Sequence, residues 1–485
     1  SCLGLVVSLR FVRFFGACFL SSHLKGVACM SKILIRGGRV VTMNEKQEIL
    51  ERADILVDGG TIASVAAAGD ENEETANVEV DTVIDAEGKV VMPGFVQTHI
   101  HLCQTLFRGQ ADDLELMDWL RLRIWPLEGG HDEESIYWSA MLGITELIKG
   151  GTTAIIDMET VHHTESAFQA INTSGIRATS GKVMMDHGGE VPPTLMESTE
   201  DSLKESEELL RKWHMHDGGR IRYAFAPRFV VSCTDDLLVR VVAMAKDYGV
   251  LVHTHASENR GEIELVMAEK GMRNVEFLRE LGLLGPNLVL AHCIWLDEDE
   301  MEMLRDSETK VVHCPSSNLK LASGFAKIPE MMDMGVFVSL GADGAPCNNN
   351  LDAFMEMRLA ALIHKPRLGP TAMPATKVLE MATKGGAEAM GMKDEIGSIE
   401  PGKRADIIIL DIDHAHAAPT ENVNLISRIV YEAKAADVET TIVDGRILMH
   451  ERKLTSIDEE EVIREANKAL ERVLRRAGVS PSSKK

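Results

Sequence analysis

The sequence predicts an α/β protein built on a (β/α)8 barrel, with a smaller β-domain assembled from the two ends of the chain. Three observations carry this reading. Residues 91–395 alternate buried strand patterns with helical ones, which implies parallel strands joined by crossover helices. Short apolar-alternating segments separated by Gly-Gly and acidic turns flank that block on both sides. Histidines and carboxylates recur where the strands of the block should end, and that is the face on which barrel enzymes build their active sites. The competing architecture is an open doubly wound sheet, but no Gly-rich phosphate loop follows the first strand.

A chain of 485 residues exceeds what one hydrophobic core supports, roughly 250–300 residues, so a large domain with an accessory one is expected. The net charge of −24, without clustered Lys and Arg, argues against a nucleic-acid partner. Eight cysteines with no C-x-x-C spacing point to free thiols and a reducing, cytoplasmic compartment. Residues 1–29 lack Asp and Glu and carry Arg10, Arg13 and Lys25 among Phe11, Phe14, Phe15 and Phe19. This leader reads either as an organellar presequence or as upstream sequence preceding a start at Met30, and the clean strand pattern Ser31–Arg36 favours the second. Beyond the leader no uncharged apolar run reaches about 18 residues, so no membrane span is expected.

The elements follow in order. Ile33 to Arg36, Val40 to Met43, Ala53 to Val57 and Thr61 to Val65 read as antiparallel strands, and Ala405 to Leu410 and Thr440 to Leu448 repeat the style. Neither set suffices for a two-layer core, so residues 30–90 and 396–455 are expected to pair into one composite β-domain. The barrel, residues 91–395, offers eight strands: Phe95 to His101, Thr153 to Met158, Arg177 to Asp186, Ile221 to Arg228, Leu251 to Glu258, Leu288 to Trp295, Lys310 to Pro315 and Phe337 to Gly344. Helices fall between them, such as Glu133 to Lys149, stopped by Gly150-Gly151, and Asp235 to Tyr248. In the last segment, 456–485, residues Glu459 to Arg476 place Val462, Ala466, Leu470 and Val473 on one face, as a docking helix would.

Strand alternation places His99 and His101 on one side of the first strand. Two alternating core histidines would look the same, but further ligand types follow: His253, His255 and Glu258 on the fifth strand, His292 on the sixth, Asp343 on the eighth. Four such strand ends are hard to ascribe to packing, because buried imidazoles and carboxylates need partners to offset desolvation. A divalent metal site is the expectation, with zinc foremost and iron compatible with the same donors. Periodicity does not choose between His253 and His255, since both face the same way.

The motifs Pro93-Gly94-Phe95-Val96-x-x-His99-x-His101, His255-Ala256-Ser257-Glu258, Ala291-His292-Cys293, His313-Cys314-Pro315-Ser316-Ser317-Asn318 and Gly341-Ala342-Asp343-Gly344 together resemble the amidohydrolase superfamily, in its aminohydrolase branch. The resemblance spans Met30 to about Asp458. It implies a distorted (β/α)8 barrel carrying a β-sandwich built from both chain ends, and one metal held by His99, His101, His255 and Asp343. His255 takes precedence because His255-x-x-Glu258 matches the family spacing, which leaves His253 as a wall residue. The implied catalytic roles are Asp343, helped by His292, accepting a proton from water, and Glu258 protonating the substrate ring and later the leaving amine. The resemblance also implies a homo-oligomer.

Gln104, Arg228 and Phe229 stand where guanine deaminases grip the purine, and an Arg fork with a stacking Phe suits a flat heteroaromatic substrate. The bland alternative is an Arg paired within the protein and a core Phe. Trp119 and Trp125-Pro126-Leu127-Glu128 resemble the nucleoside deaminases, in which the matching glutamate binds a ribose diol. His163, in the His162-His163 pair after the second strand, is a further candidate contact. Cys103, Cys293, Cys314 and Cys347 near strand ends read as small buried residues, and His313 and Asn318 as orienting the cavity wall. Together these likenesses imply a hydrolytic deaminase of a 5'-modified adenosine. Guanine, pterin or triazine hydrolysis is the alternative within catalysis, and a non-catalytic metal-binding barrel the alternative outside it.

Overall fold

The computed structural model describes residues 31–67 and 79–481; the leader of residues 1–29 lies outside them. Eight strand positions form a ring in chain order, each parallel to the next: Phe95–His101, Thr152–Met158, Arg177–Gly181 with Val183–Met184, Ile221–Pro227, Leu251–Ala256, Leu288–His292, Lys310–His313, and Phe337–Leu340 with Asp343–Gly344. The first two are buried along their whole length, because side chains fill the inside of a parallel barrel and helices cover its outside. The result is a distorted (β/α)8 barrel.

Two of the eight strands are broken where the sequence suggested continuous ones. The third stops at Gly181, where a Cβ would lie 1.8 Å from the Ala224 carbonyl oxygen. Lys182 then turns its amino group into the protein, 2.8 Å from Glu197, before Val183–Met184 resumes pairing with the fourth strand. The eighth begins by pairing with the seventh and ends by pairing with the first, through Asp343 opposite Ile100 and Gly344 opposite His101. Between the halves, Gly341 passes so close to the first strand that a Cβ would lie 2.8 Å from the His99 amide nitrogen. The Thr98 and Ser339 hydroxyls meet at 2.7 Å along the same line.

The chain ends hydrogen-bond into one nine-stranded sheet. The two halves join where Val90–Pro93 runs antiparallel to Ile407–Leu410. The segments expected as separate strands at Ile33 and Val40 form one strand, Lys32–Val41, with irregular register around Gly37-Gly38. That strand is antiparallel to Ile49–Asp58 but parallel to Thr82–Asp85 and Val90–Pro93, so the sheet is mixed rather than antiparallel throughout. Val438–Val443 and Arg446–His450 make a hairpin about Asp444-Gly445, both at positive φ, the turn geometry that an Asp-Gly pair favours. A buried ion cluster joins sheet to barrel. Arg177, opening the third barrel strand, donates to both oxygens of Asp406 at 2.7 and 2.8 Å and to Asp444 at 3.0 Å.

Helix Glu459–Ala477, capped by Asp458, buries Val462, Ala466, Ala469, Val473 and Leu474 against the barrel, with Leu470 partly covered. Among the described residues no helix is long and apolar enough to cross a membrane.

Candidate active site

Three imidazoles and one carboxylate converge at the C-terminal ends of strands one, five and eight. His101 Nδ1 lies 2.8 Å from the Met158 carbonyl and His255 Nδ1 lies 2.7 Å from the Arg228 carbonyl. A carbonyl only accepts, so both rings carry their proton on Nδ1 and turn a bare Nε2 lone pair inward. Those two Nε2 atoms are 3.3 Å apart. His99 Nδ1 contacts His253 Nε2 at 2.9 Å, while its Nε2 is buried without a hydrogen-bond partner. Oδ1 of Asp343 stands 3.3 Å from Nε2 of His99 and 3.3 Å from Nε2 of His101. Lone pairs aimed at one another across a dry space repel unless a cation lies between them. His99, His101 and His255 therefore form one donor group, and His99, His292 and Asp343 an overlapping one, with donor atoms within 4.8 Å. This N/N/N/O set fits a divalent metal such as zinc. His253 stays behind His99 as its hydrogen-bonded support.

Protonation states suit the same assignment. Burial lowers His99 to about 4 and drives His255 well below the ordinary imidazole value, so both are neutral at physiological pH, the form in which an imidazole can bind a metal. Burial pushes the Asp343 carboxyl up, but the surrounding histidines, His99 foremost, overcome this and hold it well below the ordinary range. Its Oδ2 accepts a 2.6 Å hydrogen bond from Ser317, and its Oδ1 one of 2.7 Å from the Gly344 amide. Asp343 adopts a φ of 65°, a left-handed conformation that β-carboxylate residues tolerate better than most.

Glu258 faces this cluster. Its carboxyl is buried and lies 3.5 Å from His292 Nε2, which is in turn 3.7 Å from Asp343. Desolvation raises Glu258 to about 7, His292 partly opposing. His292, although buried, is raised by the carboxylates of Glu258 and Asp343, and Asn318 Oδ1 fixes its Nδ1 at 2.9 Å. Glu262 positions Glu258 from behind: its carboxylate accepts from the amides of Ser257 and Glu258 and from the Asn274 side chain. Sequence reasoning did not single out Glu262 or give Ser317 a role. Glu262 was readable as the fourth member of the capping box begun by Asn259, and Ser317 lies inside a quoted motif.

The space above these groups is lined by His101, Gln104, His255, Glu258, His292 and Asp343 on the polar side, and by Leu116, Trp119, Leu120, Phe229 and Leu321 on the apolar side, with Arg228 between. Leu116, Leu120 and Leu321 come from loops whose reach the sequence did not reveal. Gln104, Trp119, Arg228 and Phe229 thus stand at the cavity. Arg228 does not offer a free fork, however: its guanidinium grips Glu128 at 2.6 and 3.3 Å, both side chains nearly inaccessible, and Gln104 donates to the same carboxylate at 2.8 Å. The pairing alternative therefore describes Arg228, and the acceptor positions of Glu128 are largely taken within the protein. His163 is half-buried at the start of helix Thr164–Ser174 and is not among the cavity-lining residues. His313 is buried without a hydrogen bond, 5.9 Å from His364, and also stays out of the cavity. Cys103, Cys293, Cys314 and Cys347 are buried, unpaired thiols. A larger open groove, about 1970 Å3, lies at the other end of the barrel beside Phe337 and Lys384, lined by side chains of both charges and remote from the histidines.

Comparison with known proteins places these features in company. A family model described as the amidohydrolase family matches residues 90–448. The chain is 40% identical over 449 residues to a protein of Methanosarcina acetivorans named 5'-deoxyadenosine deaminase, covering 92% of this chain and all of that protein. It is 37% identical over 445 residues to a 5-methylthioadenosine/S-adenosylhomocysteine deaminase of Syntrophomonas wolfei, covering 91% of this chain and 99% of the relative. Among solved structures, an adenosine deaminase from Xanthomonas campestris with bound zinc superposes with a TM-score of 0.85 at 32% identity, covering 91% of this chain and 98% of the other.

Proposed function

The chain belongs to the amidohydrolase family, and from that premise we propose that it is a zinc-dependent deaminase of 5'-modified adenosines, giving the inosine analogue and ammonia. One observation carries the reading. A carboxyl group raised to about 7, Glu258, is held beside an ionised Asp343 in a cavity walled by metal-ligand histidines. That pairs a proton donor with a proton acceptor at neutral pH.

In this reading His99, His101, His255 and Asp343 would hold the ion, which when bound would supply Lewis-acid activation of water, lowering its pKa from 15.7 toward about 7. Asp343, with His292 beside it, accepts a proton from water as the new bond to C6 of the purine forms. Glu258 gives its proton to the adjacent ring nitrogen, so no charge is left on the ring. Glu258, now a carboxylate, takes the proton of the C6 hydroxyl and passes it to the 6-amino group; the C6–N6 bond breaks, ammonia leaves with the 6-oxo purine behind, and the proton held by Asp343 returns to Glu258 through His292, which stands between them. Leu116, Trp119, Leu120, Phe229 and Leu321 surround the flat ring and exclude bulk water, which strengthens every charge interaction in the site. The Arg228–Glu128 pair is a rigid polar wall against which a sugar hydroxyl can rest. Buried free thiols support a reducing cytoplasmic location, and the family likeness supports a homo-oligomer.

Ammonia release is the test. A panel of 5'-deoxyadenosine, S-adenosylhomocysteine, adenosine, guanine and a chlorotriazine, each with and without a chelator, separates the alternatives. Chelator-sensitive turnover led by a 5'-modified adenosine is the expected result. Preference for guanine or the triazine would transfer the assignment to that substrate, and silence on all five with metal bound would favour a binding role.

A further inference from the structure

Arg260 lies just beyond the cavity wall in the chain. It follows Glu258 by two residues, and its guanidinium lies over the Trp295 ring, 4.0 Å from the ring centre. Trp295 itself is immobilised. Its Nε1 donates to the Ser323 carbonyl at 2.7 Å, and its ring packs so closely on Gly324 that a Cβ there would lie 2.8 Å away. Ser323 and Gly324 continue directly from Leu321, which lines the cavity; on the other side Gly261 abuts Met117, next to the lining residue Leu116. Arg260 thus adjoins, through Trp295 and Gly261, the two segments that supply the lining residues Leu321 and Leu116.

What the guanidinium lacks is a counterion. Arg260 is exposed and makes no hydrogen bond or ion pair among the described residues, in a protein of net charge −24 whose arginines elsewhere, Arg273 for example, engage carboxylates. An arginine stacked on a fixed indole has its fork held in one plane and its donors unspent, the arrangement that binds a planar carboxylate.

We propose that Arg260, held on Trp295, is the specificity residue that receives a carboxylate at the far end of the 5' arm of a nucleoside substrate. This rests on the deaminase reading above: with the purine against Glu258, the 5' substituent leaves the cavity on the Arg260 side. The chemistry then divides the candidate substrates. S-adenosylhomocysteine carries an amino-acid carboxylate on its thioether arm; 5-methylthioadenosine has the same thioether without it.

The experiment compares these two substrates in the wild type, Arg260→Ala and Arg260→Lys. The ratio of kcat/KM for S-adenosylhomocysteine to that for 5-methylthioadenosine should fall roughly tenfold to a hundredfold in Arg260→Ala, through KM rather than kcat, the loss typical of a charge-assisted hydrogen bond. Arg260→Lys should recover part of it, and added salt should narrow the gap. An unchanged ratio would overturn the proposal. Should the wild type deaminate neither compound, calorimetric titration of S-adenosylhomocysteine into wild type and Arg260→Ala decides independently of turnover: binding weakened at least tenfold supports the assignment, and equal binding refutes it.

Discussion

Replacing Glu258 by Gln tests the proton chemistry most sharply, because the structure sets opposite expectations for activity and stability. Burial raises this carboxyl from 4.5 to about 7. At pH 7 about half the molecules then carry the proton, against roughly one in 300 for an ordinary glutamate, a gain of about 150-fold in the donor form. Since the protonated form is the active one, turnover should decline about tenfold per pH unit above roughly 7. Gln keeps the shape but gives up no proton, so kcat should drop by roughly 10^2 to 10^4 with metal content unchanged. The same burial penalises the fold. With the folded-state value above the unfolded one, stability is lost as pH rises from 4.5 through about 7, by roughly 3 kcal/mol in all. Metal-free Glu258→Gln should therefore be more stable than metal-free wild type at pH 8.5 by an amount of that order, and indistinguishable from it at pH 4.5. Ammonia-release profiles from pH 6 to 9 and urea unfolding at the two pH values are the assays. A variant within tenfold of wild-type kcat, or a wild-type rate that stays level up to pH 9, would refute the reasoning.

Two further perturbations probe the scaffold. Arg177→Met takes the bidentate partner from buried Asp406, while Asp444 keeps Arg404, so urea unfolding should show a loss of roughly 3–5 kcal/mol from the carboxylate left unpaired. His253→Phe fills similar space but withdraws the partner of His99 Nδ1; zinc affinity, read by competition with a chromophoric chelator, should weaken roughly 10- to 100-fold.

Much of this was legible in the chain because parallel strands buried on both faces are short apolar runs with helices between them. The first strand and helices Glu133–Lys149 and Asp235–Tyr248 begin and end where patterning put them. What escaped depends on contacts far apart in sequence. Period-two alternation puts His253 and His255 on one face; the family spacing His255-x-x-Glu258 picked out His255, but the physical difference, the Arg228 carbonyl behind one ring and the His99 ring beside the other, is visible only in the fold. The Arg228 fork looked available for a substrate because its partner, Glu128, is 100 residues away. Gly37-Gly38 resembled a turn, yet the chain continues through it as a single strand, since glycine permits an irregular register as readily as a reversal. Ser317 gave no periodic signal at all; its importance lies in one hydroxyl meeting one carboxylate.

The eighth strand changes neighbours midway, and only two residue pairs, Asp343 with Ile100 and Gly344 with His101, stitch its far end to the first. That seam is as thinly paired as the join between the fourth and fifth strands, and it is also where the candidate metal ligands divide: His99 and His101 stand on one lip, Asp343 on the other. With an ion held between the lips, coordination by all three would act as a clasp, and the proposed metal site and the mechanical closure of the cylinder would be a single device.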